Sequence, residues 1–336
     1  MGSAWQSRTP LKSERDHAGR RADTFDEILP VGSPIRQCWD LALAGALARG
    51  ETTLVQVKVG ADPEPFKWFW EAMIGHISRP ERFAEWYALG RAPGPVDLVR
   101  AVRPKSQYSS HQGPDENGNW RVGVLKVESD DLIIKAADLL SAFLDYSQAK
   151  SLARLDIAPI PSYTGDNELE VVNALRAARV GVVEIIAHGC EEDPTLLQTR
   201  SGLRPWQKLV SEIGTIGTIN VALLSWCYSD FFLPVTLSPA AVLLEAGVRA
   251  VIPWSPKPQL YSLVPFHRGF YGALLGGAHV ARACSIGRTS IFHALNLGDG
   301  EKWLDAAGPR LYMRDDLRGE TDIRQLRLPP RGLPRR

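Results

Sequence analysis

Residues 182–189 read VVEIIAHG, an apolar run that ends in a histidine and a glycine. A short run rich in Val and Ile predicts a strand that is buried on both faces of a sheet. Residues 219–225, INVALLS, predict a second such strand, and Trp226 and Cys227 follow it directly. A helical pattern, RPWQKLVSEIG, lies between them at residues 204–214. This alternation predicts a mostly parallel central sheet with helices on both faces, which is a three-layer α/β/α sandwich.

The same alternation extends to both sides of these two strands. Further strands are predicted at residues 53–59, 120–128, 152–160 and 248–254. Further helices are predicted at residues 35–49, 131–147, 167–179, 239–246, 263–275 and 279–295. Ser33 is predicted to cap the first of these helices. In the helix that follows the second strand, Ser238 and Pro239 predict the beginning and Gly247 predicts the end.

Composition divides the chain into four segments. Residues 1–32 are rich in Arg, Asp, Glu and Ser, and they predict a disordered leader. Residues 33–119 form a helix-and-strand segment that ends in a polar loop at residues 106–119. Residues 120–315 contain the regular alternation of strands and helices, and residues 316–336 predict a solvated tail rich in Arg and Pro.

The overall composition excludes several classes of protein. The 336 residues contain 39 Lys and Arg against 38 Asp and Glu, and this balance argues against a nucleic-acid-binding protein. No apolar run reaches the roughly 18 residues that a membrane span needs. The four scattered cysteines do not suggest a disulfide framework, so a cytoplasmic protein is predicted. Glycine-rich phosphate loops and paired Cys/His spacings are absent from the sequence, so neither a cofactor nor a metal is predicted.

His188 and Cys227 each follow a predicted parallel strand, so neighbouring strands would bring them together at one edge of the sheet. A histidine beside a cysteine makes the thiol nucleophilic, because the imidazole accepts the thiol proton. Gly189 lets a substrate carbonyl approach its backbone N–H, which could form an oxyanion hole with the N–H of Cys227. The alternative at this point is a strand-end histidine and a buried structural thiol. Glu184 is predicted on the same strand face as His188, either as part of a network around it or as a salt-bridged structural carboxylate.

The other three cysteines have simpler interpretations. Cys38 and Cys284 lie in apolar helical patterns and are predicted to be core residues. Cys190 follows Gly189 directly, and packing or incidental exposure is a better interpretation of it than a second reactive thiol.

The order of these elements resembles the caspase-like cysteine peptidases of clan CD and, among them, the bacterial CHAT domains. The matching segments are VVEIIAHG, NVALLSWCYSD, AAVLLEAGVRAVIPW, FHRGFYGALLGG and HVARACSIGRTS. The resemblance covers residues 120–313 and extends back to about residue 50, which makes residues 33–119 the first part of one caspase-like domain. The bulky residues in SWCYSD depart from the small residues that the family places around its cysteine.

The resemblance implies a catalytic dyad of His188 and Cys227. His188 would be the general base and then the general acid, and Cys227 would be the nucleophile that forms a thioester. Gly189 and Cys227 would supply the oxyanion hole through their backbone N–H groups.

The resemblance also implies substrate-binding residues. Asp230 would be the acidic group of an S1 pocket, with a loop-capping aspartate as the alternative. Trp254 and Ser255 match the region that lines substrate subsites, with Trp254 packed on the sheet edge as the alternative.

The function implied by the resemblance is a cytoplasmic cysteine endopeptidase that cleaves specific protein substrates in bacterial stress or defence signalling. A separate regulatory or sensor protein is the implied partner, because the chain carries no tetratricopeptide array. The alternative is a catalytically silent caspase-like fold that serves as an interaction or ligand-binding module.

Overall fold

The computed structural model describes residues 53–58, 96–102, 120–148, 155–227, 229–230, 238–254, 260–294 and 308–314, with eight further residues between Gly32 and Gly45 that include Ser33, Arg36–Cys38 and Leu41. The predicted leader apart from Gly32, the polar loop at residues 106–119 and the tail at residues 316–336 lie outside the described residues.

The described residues form eleven strands and six helices, besides the helical residues between 34 and 45. The strands are β1 (Thr53–Lys58), β2 (Val96–Val102), β3 (Trp120–Lys126), β4 (Leu155–Ala158), β5 (Val182–Ile186), β6 (His188–Gly189), β7 (Leu196–Thr199), β8 (Gly202–Pro205), β9 (Val221–Ser225), β10 (Ala250–Pro253) and β11 (Tyr312–Arg314). The helices are α1 (Asp131–Gln148), α2 (Glu168–Ala177), α3 (Trp206–Gly214), α4 (Pro239–Glu245), α5 (Leu260–Leu275) and α6 (Val280–Ala294).

Eight of the strands form one sheet in the order β1-β2-β11-β10-β9-β5-β3-β4. Six of the seven neighbouring pairs are parallel, and only β10 and β11 are antiparallel. The sheet therefore consists of two parallel blocks that meet at the β10–β11 pair. The prediction of a mostly parallel central sheet is confirmed.

The helices cover the sheet in two layers, one on each face. Helices α1, α5 and α6 share an apolar core with alternate residues of the strands, such as Ile186 and Leu223. Helices α2, α3 and α4 pack on the other face against the intervening residues, such as Ile185 and Leu224. Because both faces are covered, the central strands are apolar at almost every position, as VVEII and VALLS show.

Helix ends follow the predicted capping pattern at the two sites where it can be checked. The N–H of Arg36 donates to Ser33 Oγ at 3.3 Å, and described residues from 34 onward are helical. The N–H of Ala241 donates to Ser238 Oγ at 3.1 Å, and Gly247 follows α4 with a φ of 108°. Gly247 has no Cβ, so it adopts this left-handed conformation without steric cost.

Strands β6, β7 and β8 form a separate antiparallel sheet directly after β5. The hairpin of β7 and β8 was not predicted from the sequence. The β7–β8 turn is held against the segment before α2, because Ser201 Oγ donates to the Thr164 carbonyl at 2.6 Å and Arg204 pairs with Asp166 at 2.8 Å. None of the described helices is long and apolar enough to cross a membrane.

Candidate functional site

The site begins where β5 and β9 end side by side. The parallel register places Glu184 opposite Leu223 and Ile186 opposite Ser225, and the Ala187 N–H continues the ladder by donating to the Ser225 carbonyl at 3.3 Å. His188 follows Ile186 by two residues, and Cys227 follows Ser225 by two. Extrapolation of this register past the last paired residues predicts that His188 and Cys227 lie at the same level of the sheet, on the face covered by α1 and α5.

Gly189 lies directly against the backbone of Cys227. A Cβ atom at position 189 would be far closer to the Cys227 carbonyl oxygen than van der Waals contact allows, and 3.1 Å from Trp226 Cδ1. The N–H of Cys190 donates to the Leu196 carbonyl in β7. Because neighbouring residues of a strand direct their N–H groups to opposite sides, the Gly189 N–H is directed away from β7.

His188 is held by an aspartate that sequence analysis did not single out. His188 Nε2 donates to Asp130 Oδ2 at 2.9 Å, and Asp130 Oδ1 accepts the N–H of Ile133 at 3.1 Å. Asp130 therefore caps the first turn of α1 and orients the imidazole at the same time. The His188 side chain is 26% exposed, so it lies at the surface of this edge.

The four cysteines differ sharply in environment. Cys227 is 8% exposed, and Cys284 is fully buried in α6, as predicted. Cys190 is buried, and its thiol donates to Glu192 Oε2 at 3.1 Å. That bond is the main reason why the pKa of Glu192 lies below its usual value. Cys38 is exposed, so the prediction that it is a core residue is wrong; the apolar pattern around it does not place this thiol on a buried helix face.

Asp230 is buried and forms an ion pair with Arg310, whose Nη1 lies 2.6 Å from Asp230 Oδ2. Its N–H donates to the Trp254 carbonyl at 3.1 Å, which joins the turn after β9 to the end of β10. A basic substrate side chain would have to compete with the Arg310 guanidinium for this carboxylate. The S1 role of Asp230 stays a prediction.

Trp254 is almost fully buried, and its ring meets Phe266 edge to face at a centroid distance of 5.3 Å. This packing corresponds to the alternative in which the tryptophan rests on the sheet. Ser255 lies outside the described residues, and the subsite role of both residues stays a prediction.

Glu184 is fully buried, and its carboxylate contacts Ser225, His267 and Tyr271. Of the two interpretations of this residue, the structural carboxylate fits these contacts, and the histidine that it meets belongs to α5. No sequence signal linked His267 to Glu184, since 83 residues separate them. Within the described residues, no group of three or more His, Cys, Asp or Glu side chains is arranged to hold a metal ion.

Comparison with known proteins shows likeness at the level of fold. No protein-family model and no curated protein sequence matches the chain. A solved complex of the pro- and mature domains of RgpB from Porphyromonas gingivalis aligns with a TM-score of 0.52 at 11% identity, over 90% of this chain and 75% of that chain.

Two other solved structures align less closely. The Arg specific cysteine proteinase gingipain R gives a TM-score of 0.45 at 13% identity, and this chain, matched over 66% of its length, spans only 54% of that protein. The Saccharomyces cerevisiae separase–securin complex gives 0.37 at 15% identity, over 61% of this chain and 12% of that chain. The mostly parallel sheet between two helix layers and the likeness to the RgpB complex together confirm the caspase-like α/β/α fold class.

Proposed function

We propose that this chain is a cysteine endopeptidase in which His188 and Cys227 form the catalytic dyad. The observation that supports the proposal is the meeting of two strand ends: Gly189 packs on the Cys227 carbonyl, and extrapolation of the β5–β9 register predicts that the preceding histidine lies level with the cysteine. Carboxyl ends of parallel strands are also where α/β folds place their chemistry.

The hydrogen bond from His188 to Asp130 assigns each nitrogen of the imidazole a role. Nε2 is occupied by the carboxylate, so Nδ1 is the nitrogen that would accept the Cys227 proton. The thiolate then attacks the scissile carbonyl carbon and forms the S–C bond, the C–N bond breaks, and the imidazolium returns the proton to the leaving amine. Water hydrolyses the thioester in the second half-reaction, with His188 again accepting and then donating a proton.

The developing oxyanion would accept hydrogen bonds from the N–H groups of Gly189 and Cys227. The Gly189 N–H suits this role because it is directed away from β7 and the residue lies against Cys227. Donors fixed by the backbone before the reaction are effective because they need no reorganisation as charge develops.

The wider role follows from the resemblance to CHAT domains. Specific cytoplasmic protein substrates, a bacterial stress or defence pathway and a separate regulatory or sensor protein belong to this proposal. Asp230, Trp254 and Ser255 are its substrate-binding residues, and the preference for the P1 side chain is the measurement that tests them.

Digestion of a peptide library by wild type, Cys227→Ala, His188→Ala and Asp130→Asn tests the proposed chemistry. Cys227→Ala is expected to abolish cleavage, and His188→Ala to lower kcat by about 10²–10⁴-fold, which is the usual contribution of a general acid–base. Asp130→Asn is expected to lower kcat because the amide no longer stabilises the imidazolium. Cys38→Ser is the matched control, since it removes an exposed thiol far along the chain from β9. Cleavage that persists in Cys227→Ala would overturn the proposal.

The low exposure of Cys227, 8%, favours a second candidate, a catalytically silent interaction module. Iodoacetamide labelling distinguishes the two functions, with each cysteine-containing peptide identified by mass spectrometry. An active dyad predicts that, at neutral pH, Cys227 is alkylated faster in the wild type than in the His188→Ala variant. Equal rates in the two proteins, together with no cleavage of the library, would favour the silent module.

A further inference from the structure

A cluster of four buried polar side chains lies on the same face of the sheet as the proposed dyad, further from the ends of the strands. Glu184 of β5 is fully buried, and its Oε1 accepts a hydrogen bond from Ser225 Oγ of β9. From α5, His267 Nε2 lies 3.1 Å from Glu184 Oε1, and Tyr271 Oη donates to Oε2 at 3.0 Å. We refer to Glu184, Ser225, His267 and Tyr271 as the Glu184 cluster.

An ordinary apolar core would not need this cluster. Moving a carboxylate out of water costs several kcal/mol even after the protein relaxes, and hydrogen bonds must offset that cost. Glu184 has three donors, and the neighbouring strand positions Ile186 and Leu223 on the same face are apolar. A fully satisfied polar network of this kind favours a single arrangement of its elements, because every alternative arrangement leaves a buried group without its partner.

The arrangement that the cluster favours is the register between β5 and β9. A slip of one residue turns each side chain of a strand to the other face, so the apolar pattern already opposes it. A slip of two residues keeps the faces, so the apolar pattern of VVEII and VALLS does not oppose it. The bond between Glu184 and Ser225 opposes the slip that would pair Glu184 with Val221, because Ser225 would then lie four residues further along β9.

The same register determines whether the dyad is aligned. Ser225 precedes Cys227 by two residues on one strand, and Glu184 precedes His188 by four on the other. A two-residue shift would separate the histidine and the cysteine by about 6–7 Å along the strands, which exceeds hydrogen-bonding distance. His267 and Tyr271 connect Glu184 to α5, so they hold the strand ends against a rigid helix.

We propose that Glu184 is a positioning residue, which acts through Ser225, His267 and Tyr271 to hold Cys227 level with His188. This inference rests on the proposed function, since it assigns the cluster a role in aligning that dyad. A purely structural role would lower the free energy of unfolding without changing how His188 acts on the Cys227 thiol.

The test measures the rate of Cys227 alkylation by iodoacetamide against pH in wild type, Glu184→Gln and Ser225→Ala, together with kcat and KM on a cleaved library peptide. Loss of alignment is expected to move the midpoint of the alkylation profile toward that of an ordinary thiol, about pH 8.5. It is also expected to lower kcat by about 10- to 100-fold with little change in KM, since small misplacements of reacting groups have effects of this size. Ser225→Ala removes one hydroxyl group, so it remains informative if Glu184→Gln does not fold.

Ser285→Ala is the matched control, because it removes a buried serine hydroxyl that donates to the Ala281 carbonyl within α6. It is expected to leave the midpoint and kcat unchanged. A wild-type midpoint and kcat in both Glu184→Gln and Ser225→Ala would overturn the inference. The proposed function fails separately, if Cys227→Ala still cleaves or if His188→Ala alkylates with the wild-type profile.

Discussion

Gly189 shows how one residue determines the distance between two strand ends. The Cys227 carbonyl oxygen occupies the position that any side chain at residue 189 would take, and the contact partner is backbone rather than a flexible side chain. Backbone cannot rotate away as a side chain can, so a larger residue must push β6 and the turn after β9 apart. Among the described residues, Gly189 is not one of those with a positive φ, so a left-handed backbone is not the reason for the glycine. The reason is the close approach of the two backbones.

Gly189→Ala is therefore expected to lower both stability and activity. We expect a loss of about 1–3 kcal/mol in the free energy of unfolding, which is typical of overpacking, and a lower kcat because the dyad separates. Gly272→Ala in α5 is the matched control, since a Cβ there meets no atom within 4 Å. That variant should gain about 0.5–1 kcal/mol from helix propensity and keep wild-type kcat. Denaturant unfolding and peptide cleavage measure the two quantities, and unchanged values in Gly189→Ala would contradict the close approach.

The sequence was informative about residues that follow a strand and uninformative about partners far along the chain. His188, Gly189 and Cys227 could be singled out because each follows an apolar run directly. Asp130 could be identified only as one of two neighbouring aspartates before a helix, and its contact with a histidine 58 residues away depends on the sheet order. Pairing across such distances is determined by tertiary packing, which a single sequence does not display.

At the scale of elements, the antiparallel β10–β11 pair is where the two parallel blocks of the sheet join. Arg310, just before β11, donates its N–H to the Pro253 carbonyl and its guanidinium to Asp230. The ion pair therefore connects the residues just before β11 to the turn that follows β9. Both side chains are buried, so solvent screens this interaction very little.

Removal of one partner of this ion pair is expected to destabilise the fold strongly. Arg310→Met leaves Asp230 buried without the guanidinium, and a loss of about 3–5 kcal/mol is typical of such a change. The double variant Asp230→Leu with Arg310→Met should be more stable than the sum of the single effects predicts, because it removes both charges of the ion pair and leaves neither without the other. Urea unfolding of the wild type, Asp230→Leu, Arg310→Met and the double variant gives the four free energies of this double-mutant cycle. Additive effects would mean that the two side chains are not coupled.

Strand β2 was not predicted from the sequence, although its seven residues are long enough to show a period. The other strands that were not predicted share a physical cause. Strand β11 has three residues and β6 has two, so neither is long enough to show a period. The β7–β8 hairpin is exposed at several positions and lacks an apolar run. Strands β5 and β9 were predicted correctly because burial on both faces requires an uninterrupted apolar segment.

At the scale of the whole molecule, buried tyrosines are expected to lower the free energy of unfolding at alkaline pH. Burial and then the negative charge of Glu168 raise the pKa of Tyr163 to about 12. Burial raises the pKa of Tyr271 and Tyr312 well above the usual value, and the charges of Glu184 and Asp230 respectively add to this effect. The three tyrosines lie on different elements, so the effect is distributed over the fold.

The sign of the pH dependence follows from these raised pKa values. In the unfolded chain a tyrosine loses its proton near pH 10, whereas in the folded protein the three hydroxyls keep theirs. Unfolding therefore releases protons above pH 10, so the free energy of unfolding should be unaffected by these groups below pH 10 and should fall as the pH rises toward 12. Tyr163→Phe should make this fall less steep, while Tyr261→Phe, at a tyrosine that is 52% exposed, should not. Denaturant unfolding at pH 9, 10, 11 and 12 gives the slopes, with tyrosine ionisation followed by ultraviolet absorbance. The same slope in wild type and Tyr163→Phe would show that this hydroxyl is not protected in the folded protein.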